Sequence, residues 1–212
     1  MMDPDALGRL LRELRRLPSE TPWLEFKENN VNPDKIGETI SALSNAAALN
    51  GKDVAWMVWG VRDDDHALVG TDFVPGAASK GGQALESWLV QMLSPRLDIG
   101  FHSGCVDGRA VVALEIPAAQ VQPTAFHGKE LIRVGSVNRA LRDVPQKERA
   151  LWRVFDTTPF EKQVALGDQS TDTVISLLDY PSYFELLNLP LPGDREKILS
   201  ALAREDFIRR ND

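Results

Sequence analysis

The stretch Val54–Val61, with the sequence VAWMVWGV, constrains the fold of this chain more than any other feature. It is a continuous apolar run rich in residues that favour β-strands, which is typical of a central strand buried on both faces. Its two tryptophans, Trp56 and Trp59, are three positions apart, so they point to opposite faces of the strand. We therefore expect a sheet with helices packed against it, and we expect both tryptophans to be core residues rather than stacking platforms.

The segments around this strand predict a mixture of strands and helices. Asp107-Gly108 separates two apolar stretches, which predicts a β-hairpin with a two-residue turn. The apolar periodicity predicts helices over 5–16, 34–49 and 81–93, and strands over 23–26, 67–69, 97–106, 109–116 and 131–134. The predicted fold class is therefore α+β, with a mixed β-sheet and packed helices.

The pattern predicts three parts along the chain. An N-terminal helix occupies 1–17 and the α+β domain occupies 18–150. A helical appendage over 151–212 follows, with short helices near 171–178 and 182–187 and a last helix that starts at Asp194. We expect this appendage to lead into a further region.

The charge of the chain argues against a generic nucleic-acid coat protein. The net charge is -7 and the isoelectric point is near 5.1, whereas phosphate neutralisation needs clustered lysine and arginine. One stretch, 129–153, is nevertheless basic, with seven cations against three carboxylates. A local basic face can exist on an acidic protein. A solvated surface with scattered charge explains the stretch equally well.

Cysteine, histidine and hydropathy limit other classes of function. Cys105 is the one cysteine, which excludes an internal disulfide and a cysteine-cluster metal site, and its place in a strand predicts a small buried side chain. His66, His102 and His127 are too dispersed to predict a metal cluster. No apolar run approaches the roughly 20 residues that cross a bilayer, and the start of the chain lacks a signal-peptide pattern. We expect a cytoplasmic protein with no membrane partner.

Four segments of the chain carry sequence motifs. The E-x4-E-F-K pattern lies at 20–27, and the helix IGETISALSNAAALNG lies at 36–51. The strand and turn WMVWGVRDDDHALVG occupy 56–70, and LIRVGSVNRAL occupies 131–141. Each motif is weak alone, but four in this order across roughly 18–142 are fairly specific. Together they resemble the Schlafen AlbA-type (Alba-like) nucleic-acid-binding domain family.

The chain departs from the family pattern at four positions. Asn50 replaces the first of two paired glycines, and His66 stands where a turn glycine is usual. Asn138 replaces a serine or threonine, and Leu131 replaces an aromatic residue. The change at Leu131 weakens a base-stacking role there.

The resemblance implies two kinds of site, of which the first is catalytic. In Schlafen nucleases an acidic trio cuts RNA with a divalent metal, and the matching residues here are Glu20, Glu25 and Asp63. Such oxygen ligands suit Mg²⁺ or Mn²⁺, and Lys27 could hold a phosphate oxygen. Alternatively, Glu25 and Lys27 share one solvent-facing side of a strand. Asp63 also lies in a polar turn, where aspartate is common for backbone hydrogen bonding alone.

The second implied site binds nucleic acid through phosphate contacts. Arg133, Arg139 and Arg142, with Ser136 and Lys27, fit phosphate contact from a strand end. The alternative for Arg133 is a salt bridge to a carboxylate such as Glu25.

Three functions follow as hypotheses. The first is a DNA- or RNA-binding module of a bacterial transcriptional-regulator-like protein. The second is a metal-dependent endoribonuclease. The third is a protein-interaction or dimerisation domain, which the net charge of -7 also fits. Alba-like domains commonly pair, so the resemblance also implies a possible homodimer, with exposed leucines or tryptophans of the terminal helices at the interface.

Overall fold

The computed structural model describes residues 2–17, 21–156, 167, 169–205 and 207–208. The chain divides into two compact units, 1–157 and 158–212. The three-part division expected from the sequence, at residues 17 and 150, stays a prediction.

The first unit holds most of the secondary structure. Its strands, in chain order, are β1 Leu24–Lys27, β2 Val54–Trp59, β3 Ser79–Lys80, β4 Gln83–Ala84, β5 Leu93–Ser94, β6 Gly100–Val106, β7 Arg109–Pro117, β8 Ala125–Phe126, β9 Lys129–Val134 and β10 Val137–Ala140. Its α-helices are α1 Pro4–Leu14, α2 Pro33–Leu49, α3 Leu85–Met92 and α4 Pro145–Asp156.

Two four-stranded sheets organise this unit. The first has the order β1-β2-β7-β6, in which β1 and β2 are parallel and the other pairs are antiparallel. The second has the order β10-β9-β8-β5 and is antiparallel throughout. The predicted α+β class with a mixed sheet and packed helices is confirmed.

The apolar run at 54–61 forms the central strand β2, as predicted. Trp59 is fully buried in the main core, and Trp56 packs on the opposite face against the cluster under α1. The two tryptophans therefore lie on opposite faces, and their spacing predicted this correctly.

Each face of the first sheet is covered by a helix. α2 contacts the sheet on one face and also contacts β8, β9 and β10 of the second sheet. Asn32 caps α2, because its side chain accepts a hydrogen bond from the backbone N–H of Lys35 at 3.1 Å. α1 covers the other face through Leu7, Leu11 and Leu14, the leucine stripe that the sequence predicts.

Close approach of α2 to the second sheet depends on a glycine. A Cβ atom added at Gly37 would lie only 2.1 Å from the ring of Phe126 on β8. A side chain at this position therefore cannot fit without moving the ring.

Several sequence predictions need correction. The helix expected over 81–93 begins at Leu85, because 79–84 form the hairpin of β3 and β4, with Gly81 and Gly82 at positive φ in its turn. The strand expected over 67–69 is a single bridge between Leu68 and Val61.

Cys105 was expected to be buried and is exposed. It lies on β6, the outermost strand of the first sheet. A residue in the middle of a strand is buried when other strands flank it and another element packs over its side chain. Cys105 lies on an edge strand, and its side chain is exposed.

The second unit contains three short helices in its described part: α5 Thr171–Leu177, α6 Tyr180–Leu186 and α7 Arg195–Arg204. Phe184, Ile198 and Leu202 form its small core. Asp194 caps α7, as predicted, through a 3.0 Å bond from the N–H of Glu196. Pro181 lies in the first turn of α6 and begins that helix rather than interrupting one.

Within the residues described, we find no helix both long enough and apolar enough to span a bilayer.

Candidate nucleic-acid interface

The candidate site begins at β1, where Glu25 and Lys27 share one face of the strand. Leu24 and Phe26 point the other way and pack in the cluster under α1. The backbone of Lys27 is fixed by the end of β2, because its carbonyl accepts a 2.8 Å hydrogen bond from the N–H of Gly60. The short alternating strand therefore sends its two charged side chains towards the second sheet.

Glu25 is a buried carboxylate held by two cations. Its Oε1 pairs with the Lys27 ammonium, and its Oε2 accepts a hydrogen bond from Nη2 of Arg133 on β9. Glu25 is 6% exposed and Arg133 is 8% exposed. Burial of a single charge is costly, and the two cations offset that cost. This pair is the alternative that the sequence left open for Arg133.

Arg133 is fixed from its other side by the β9–β10 hairpin and α2. Its Nη1 donates to Oδ1 of Asn138 at 2.9 Å, and Asn138 stands directly opposite it in the strand register. Nδ2 of Asn138 donates in turn to Oγ1 of Thr39 on α2 at 3.2 Å. A polar chain thus joins β1, the hairpin and α2, and it holds the guanidinium in one orientation.

The Glu25 cluster carries more positive than negative charge. Two cations, Lys27 and Arg133, surround one carboxylate, which leaves one positive charge in excess. Lys27 is the exposed member, with 31% of its side chain accessible, whereas Glu25 and Arg133 are buried. The excess charge therefore reaches solvent at the Lys27 ammonium, where an anion could approach.

The turn of the β9–β10 hairpin adds exposed polar groups next to Arg133. Gly135 has a φ of 57°, a conformation that glycine adopts without strain, and Ser136 beside it is exposed. Arg139 on β10 is exposed. Arg142, in the short 3-10 helix that follows, is exposed with its Nε 3.7 Å from Oδ1 of Asp143. Four of the five predicted phosphate-binding residues thus lie on this hairpin and the helical turn after it, and the fifth, Lys27, lies on β1.

One carboxyl lies at the far end of the same strand. Burial, together with the nearby carboxylate of Glu148, raises the pKa of Glu130 above its ordinary value. Glu130 lies beside Lys129 at the start of β9, whereas Arg133 lies towards the end of the strand.

The acidic trio suggested by the resemblance is not assembled from described residues. Asp63 is exposed in the turn after β2, and Glu20 lies outside the described residues. Each carboxylate oxygen of Glu25 already pairs with a cation, so a metal ion at Glu25 would be repelled by the charges of Lys27 and Arg133. Across the described part of the chain, no three histidine, cysteine, aspartate or glutamate side chains form a group that could hold a metal ion. Glu25 as placed here does not suit Mg²⁺ or Mn²⁺.

The turn that carries Asp63 is organised by its neighbours. Asp65 accepts hydrogen bonds from the Ala67 N–H at 3.0 Å and from Arg62 at 2.9 Å. The Ala67 N–H, with the Arg62 charge beside it, lowers the pKa of Asp65. Nε of Arg62 also lies 3.6 Å from Oε1 of Glu28. The backbone hydrogen bond at Asp65 is the role that turn aspartates commonly have.

The three histidines lie in separate places. Nε2 of His102 is 2.8 Å from Glu115, and its Nδ1 accepts from the backbone nitrogen of Met2 at 3.2 Å. His127 lies 3.9 Å from Asp34 at the start of α2. Nδ1 of His66 contacts the carbonyl of Arg15 at 3.1 Å.

Sequence reasoning missed a set of buried polar residues on α2. Asn45 donates to the carbonyls of Thr124 and Leu131 at 2.9 and 2.8 Å and accepts from the Thr124 N–H at 2.7 Å. Ser41 accepts from the Leu131 N–H at 3.0 Å and donates to the Thr124 carbonyl at 2.7 Å. Ser44 donates to the carbonyl of Pro117 at 2.8 Å. At Leu131, just beyond the residues of β9 that pair with β8, these side chains take the place of a neighbouring strand.

A signal for these contacts was present in the sequence. Ser41, Ser44 and Asn45 recur at helical spacing on the same helix as Ile40 and Leu43. Polar residues that recur on an apolar helix need partners when they are buried, so they predict backbone hydrogen bonds rather than only close packing.

Comparison with known proteins identifies one matching family and similar solved structures. The Schlafen, AlbA_2 family matches residues 20–142. Among solved structures, the chain is similar to the DIP2311 protein from Corynebacterium diphtheriae, with 17% identity, a TM-score of 0.46 and coverage of 84% of this chain and 34% of that chain. It is also similar to the N-terminal domain of an ATP-dependent DNA helicase RecG-related protein from Nitrosomonas europaea, with 21% identity, a TM-score of 0.38 and coverage of 66% and 93%.

This chain spans about a third of the length of the first of these two structures. No curated protein matches it by sequence. The family match covers more than half of the chain, and it includes β1, α2, the turn at Asp63 and the β9–β10 hairpin. The resemblance in the four motifs is thereby confirmed, and the chain belongs to the Schlafen AlbA_2 family.

Proposed function

We propose that this chain is a nucleic-acid-binding module, within a bacterial regulator-like protein, that contacts DNA or RNA through phosphates at the β9–β10 hairpin. The observation that carries the proposal is the excess positive charge of the Glu25 cluster, which opens to solvent at Lys27. Phosphate contacts supply most of the affinity in such complexes. Family membership supports the same function.

The residues have different roles in this proposal. The groups that contact phosphate are the partly exposed Lys27 and the exposed Arg139, Arg142 and Ser136. Arg133 is buried and holds the hairpin against β1, so it positions the hairpin rather than contacting the ligand. Glu25 keeps the two cations together.

The metal-dependent endoribonuclease is the second candidate, and the same experiment separates the two. Purified protein is incubated with fluorescein-labelled RNA and DNA, with and without Mn²⁺, over a range of salt concentrations. The proposal expects binding that weakens as salt rises and RNA that stays intact. Cleavage that requires Mn²⁺ and disappears in Glu25→Gln would instead establish the nuclease. Absence of binding even at low salt would favour the protein-interaction domain.

A further inference from the structure

The outward face of α1 carries a row of arginines. Arg9 and Arg12 lie on α1, and Arg16 lies in the turn directly after it. Their spacings of three and four residues continue the helical periodicity, so they share one side, and all three are exposed. The opposite side is anchored, since Leu7 and Leu11 are each only 1% exposed. The helix is therefore held with its arginines directed to solvent.

These arginines are free of carboxylate partners within the described part of the chain. None of the ion pairs there involves Arg9, Arg12 or Arg16. Asp5 and Glu13 lie on the same side of the helix but do not pair with them. On a chain with a net charge of -7, three unpaired cations in a row are a local exception that needs a reason.

The spacing of the row suits a regularly charged polymer. Helix geometry separates the Cα atoms of Arg9 and Arg12 by about 4.5 Å along the axis, and Arg16 follows two residues after the end of the helix. A nucleic-acid strand carries one charge per roughly 3.4 Å of axis, so neighbouring arginines can reach neighbouring phosphates. Arginine also binds phosphate through two parallel N–H donors.

We propose that the row formed by Arg9 and Arg12 of α1 and Arg16 of the turn after it is a second contact surface for the nucleic-acid phosphate backbone. The inference rests on the proposed nucleic-acid-binding function. The surface is separate from the hairpin, because α1 covers the face of the first sheet opposite to the one from which Glu25 and Lys27 project. It also lies before the family match, which begins at residue 20.

A membrane surface fits the row less well than nucleic acid. Amphipathic helices bind bilayers by inserting their apolar side. Here the leucines that would insert are buried against the sheet by Val58, Val106 and Val111. Membrane binding would require α1 to leave the core, whereas phosphate contact requires no change.

The test compares two variants with the same change in net charge. In the first, Arg9, Arg12 and Arg16 become alanine. In the control, Arg96, Arg195 and Arg204, which are also exposed, become alanine. Fluorescence anisotropy with labelled 20-nucleotide RNA, single-stranded DNA and duplex DNA gives Kd between 50 and 200 mM salt. The variant Arg9→Lys/Arg12→Lys/Arg16→Lys keeps the three positive charges but removes the guanidinium groups that donate two parallel hydrogen bonds to phosphate.

We expect the α1 variant to bind about 10- to 100-fold more weakly at 50 mM salt, and its slope of log Kd against log salt to fall by roughly 2 to 3. The control should stay within about twofold of wild type, and the lysine variant should keep most of the salt slope. Unchanged binding by the α1 variant would overturn this inference alone, if Lys27→Ala still weakens binding. Wild-type protein that binds none of the three probes would overturn both proposals. If wild-type protein binds anionic vesicles and the α1 variant does not, the three arginines bind lipid headgroups and not nucleic acid.

Discussion

Arg133 and Glu25 lie 108 positions apart in the sequence and form a buried ion pair that ties β9 to β1. This contact joins the two sheets beside Lys27, whose ammonium pairs with the same carboxylate. The pair supports a positioning role for Arg133, whereas the family motif predicts a phosphate ligand at this residue.

Replacing Arg133 with alanine should destabilise the first unit by about 3 kcal/mol, because Glu25 would keep one cation and lose its buried partner. The double variant Glu25→Gln/Arg133→Met should lose less than half as much unfolding free energy, because no buried charge remains unpaired. Urea unfolding followed by tryptophan fluorescence measures both values. Equal losses in the two variants would show that burial of Glu25 does not depend on the pair.

Replacing Asn45 with alanine should destabilise the chain by about 3 kcal/mol. The change removes three buried hydrogen bonds and leaves the Thr124 and Leu131 backbone groups without that partner. Asn50→Ala, which loses one bond at the end of α2, is the matched control and should cost about 1 kcal/mol. A loss at Asn45 no larger than at Asn50 would mean that water replaces the buried bonds.

Replacing Gly37 with alanine should destabilise the fold by about 2 kcal/mol, because the new methyl group would overlap the ring of Phe126. The pair should be coupled, so that Gly37→Ala costs less in a Phe126→Leu background. A double-mutant cycle of unfolding free energies measures this coupling. Strictly additive effects would contradict the contact.

The pKa of Asp34 should depend on Lys80. The hydrogen bond from Lys80 lowers the pKa of Asp34 below its ordinary value of 3.8, and the charges of Lys80 and His127 lower it further. Because the folded-state pKa is depressed, the ionised carboxylate stabilises the fold above the unfolded pKa, and this contribution is lost as pH falls through the folded pKa. NMR titration of Lys80→Met should show the pKa of Asp34 rising towards 3.8. An unchanged titration would show that the pair does not persist in solution.

Cys105 should react with a maleimide in the folded protein at close to the rate of a free thiol, because it is exposed on β6. Labelling followed by mass spectrometry, with and without urea, measures the protection. Labelling that occurs only in urea would show that Cys105 is buried in the folded protein, as the sequence predicts.

The sequence predicts local features of the fold well. The run at 54–61, the turn at Asp107-Gly108 and the leucine stripe of α1 each depend on neighbouring residues, and each has the predicted structure. The hairpin of β3 and β4 was missed because helical periodicity in 85–92 extended into a glycine turn. The helix α4 was missed because we interpreted the basic stretch that contains it only as a charged surface.

The site was harder to predict than the fold. Glu25 and Lys27 do share one side of β1, as expected, but that side faces β9, so that Glu25 is buried and Lys27 is only partly exposed. Only the tertiary arrangement brings Arg133 to Glu25, since no local pattern links positions 108 apart. The motif residues were therefore identified from the sequence. The burial of Arg133, on which its proposed positioning role rests, and the partial exposure of Lys27 required the structure.

The most direct test of phosphate contact at the hairpin is the affinity of the double variant Lys27→Ala/Arg139→Ala for labelled RNA and DNA at low salt. Its control is Arg195→Ala/Arg204→Ala in the second unit, which changes the net charge equally. We predict that the hairpin variant binds at least about 10-fold more weakly, with a shallower salt dependence, while the control binds like wild type. Equal affinity of the hairpin variant and wild type, with both variants folded, would contradict the proposed interface.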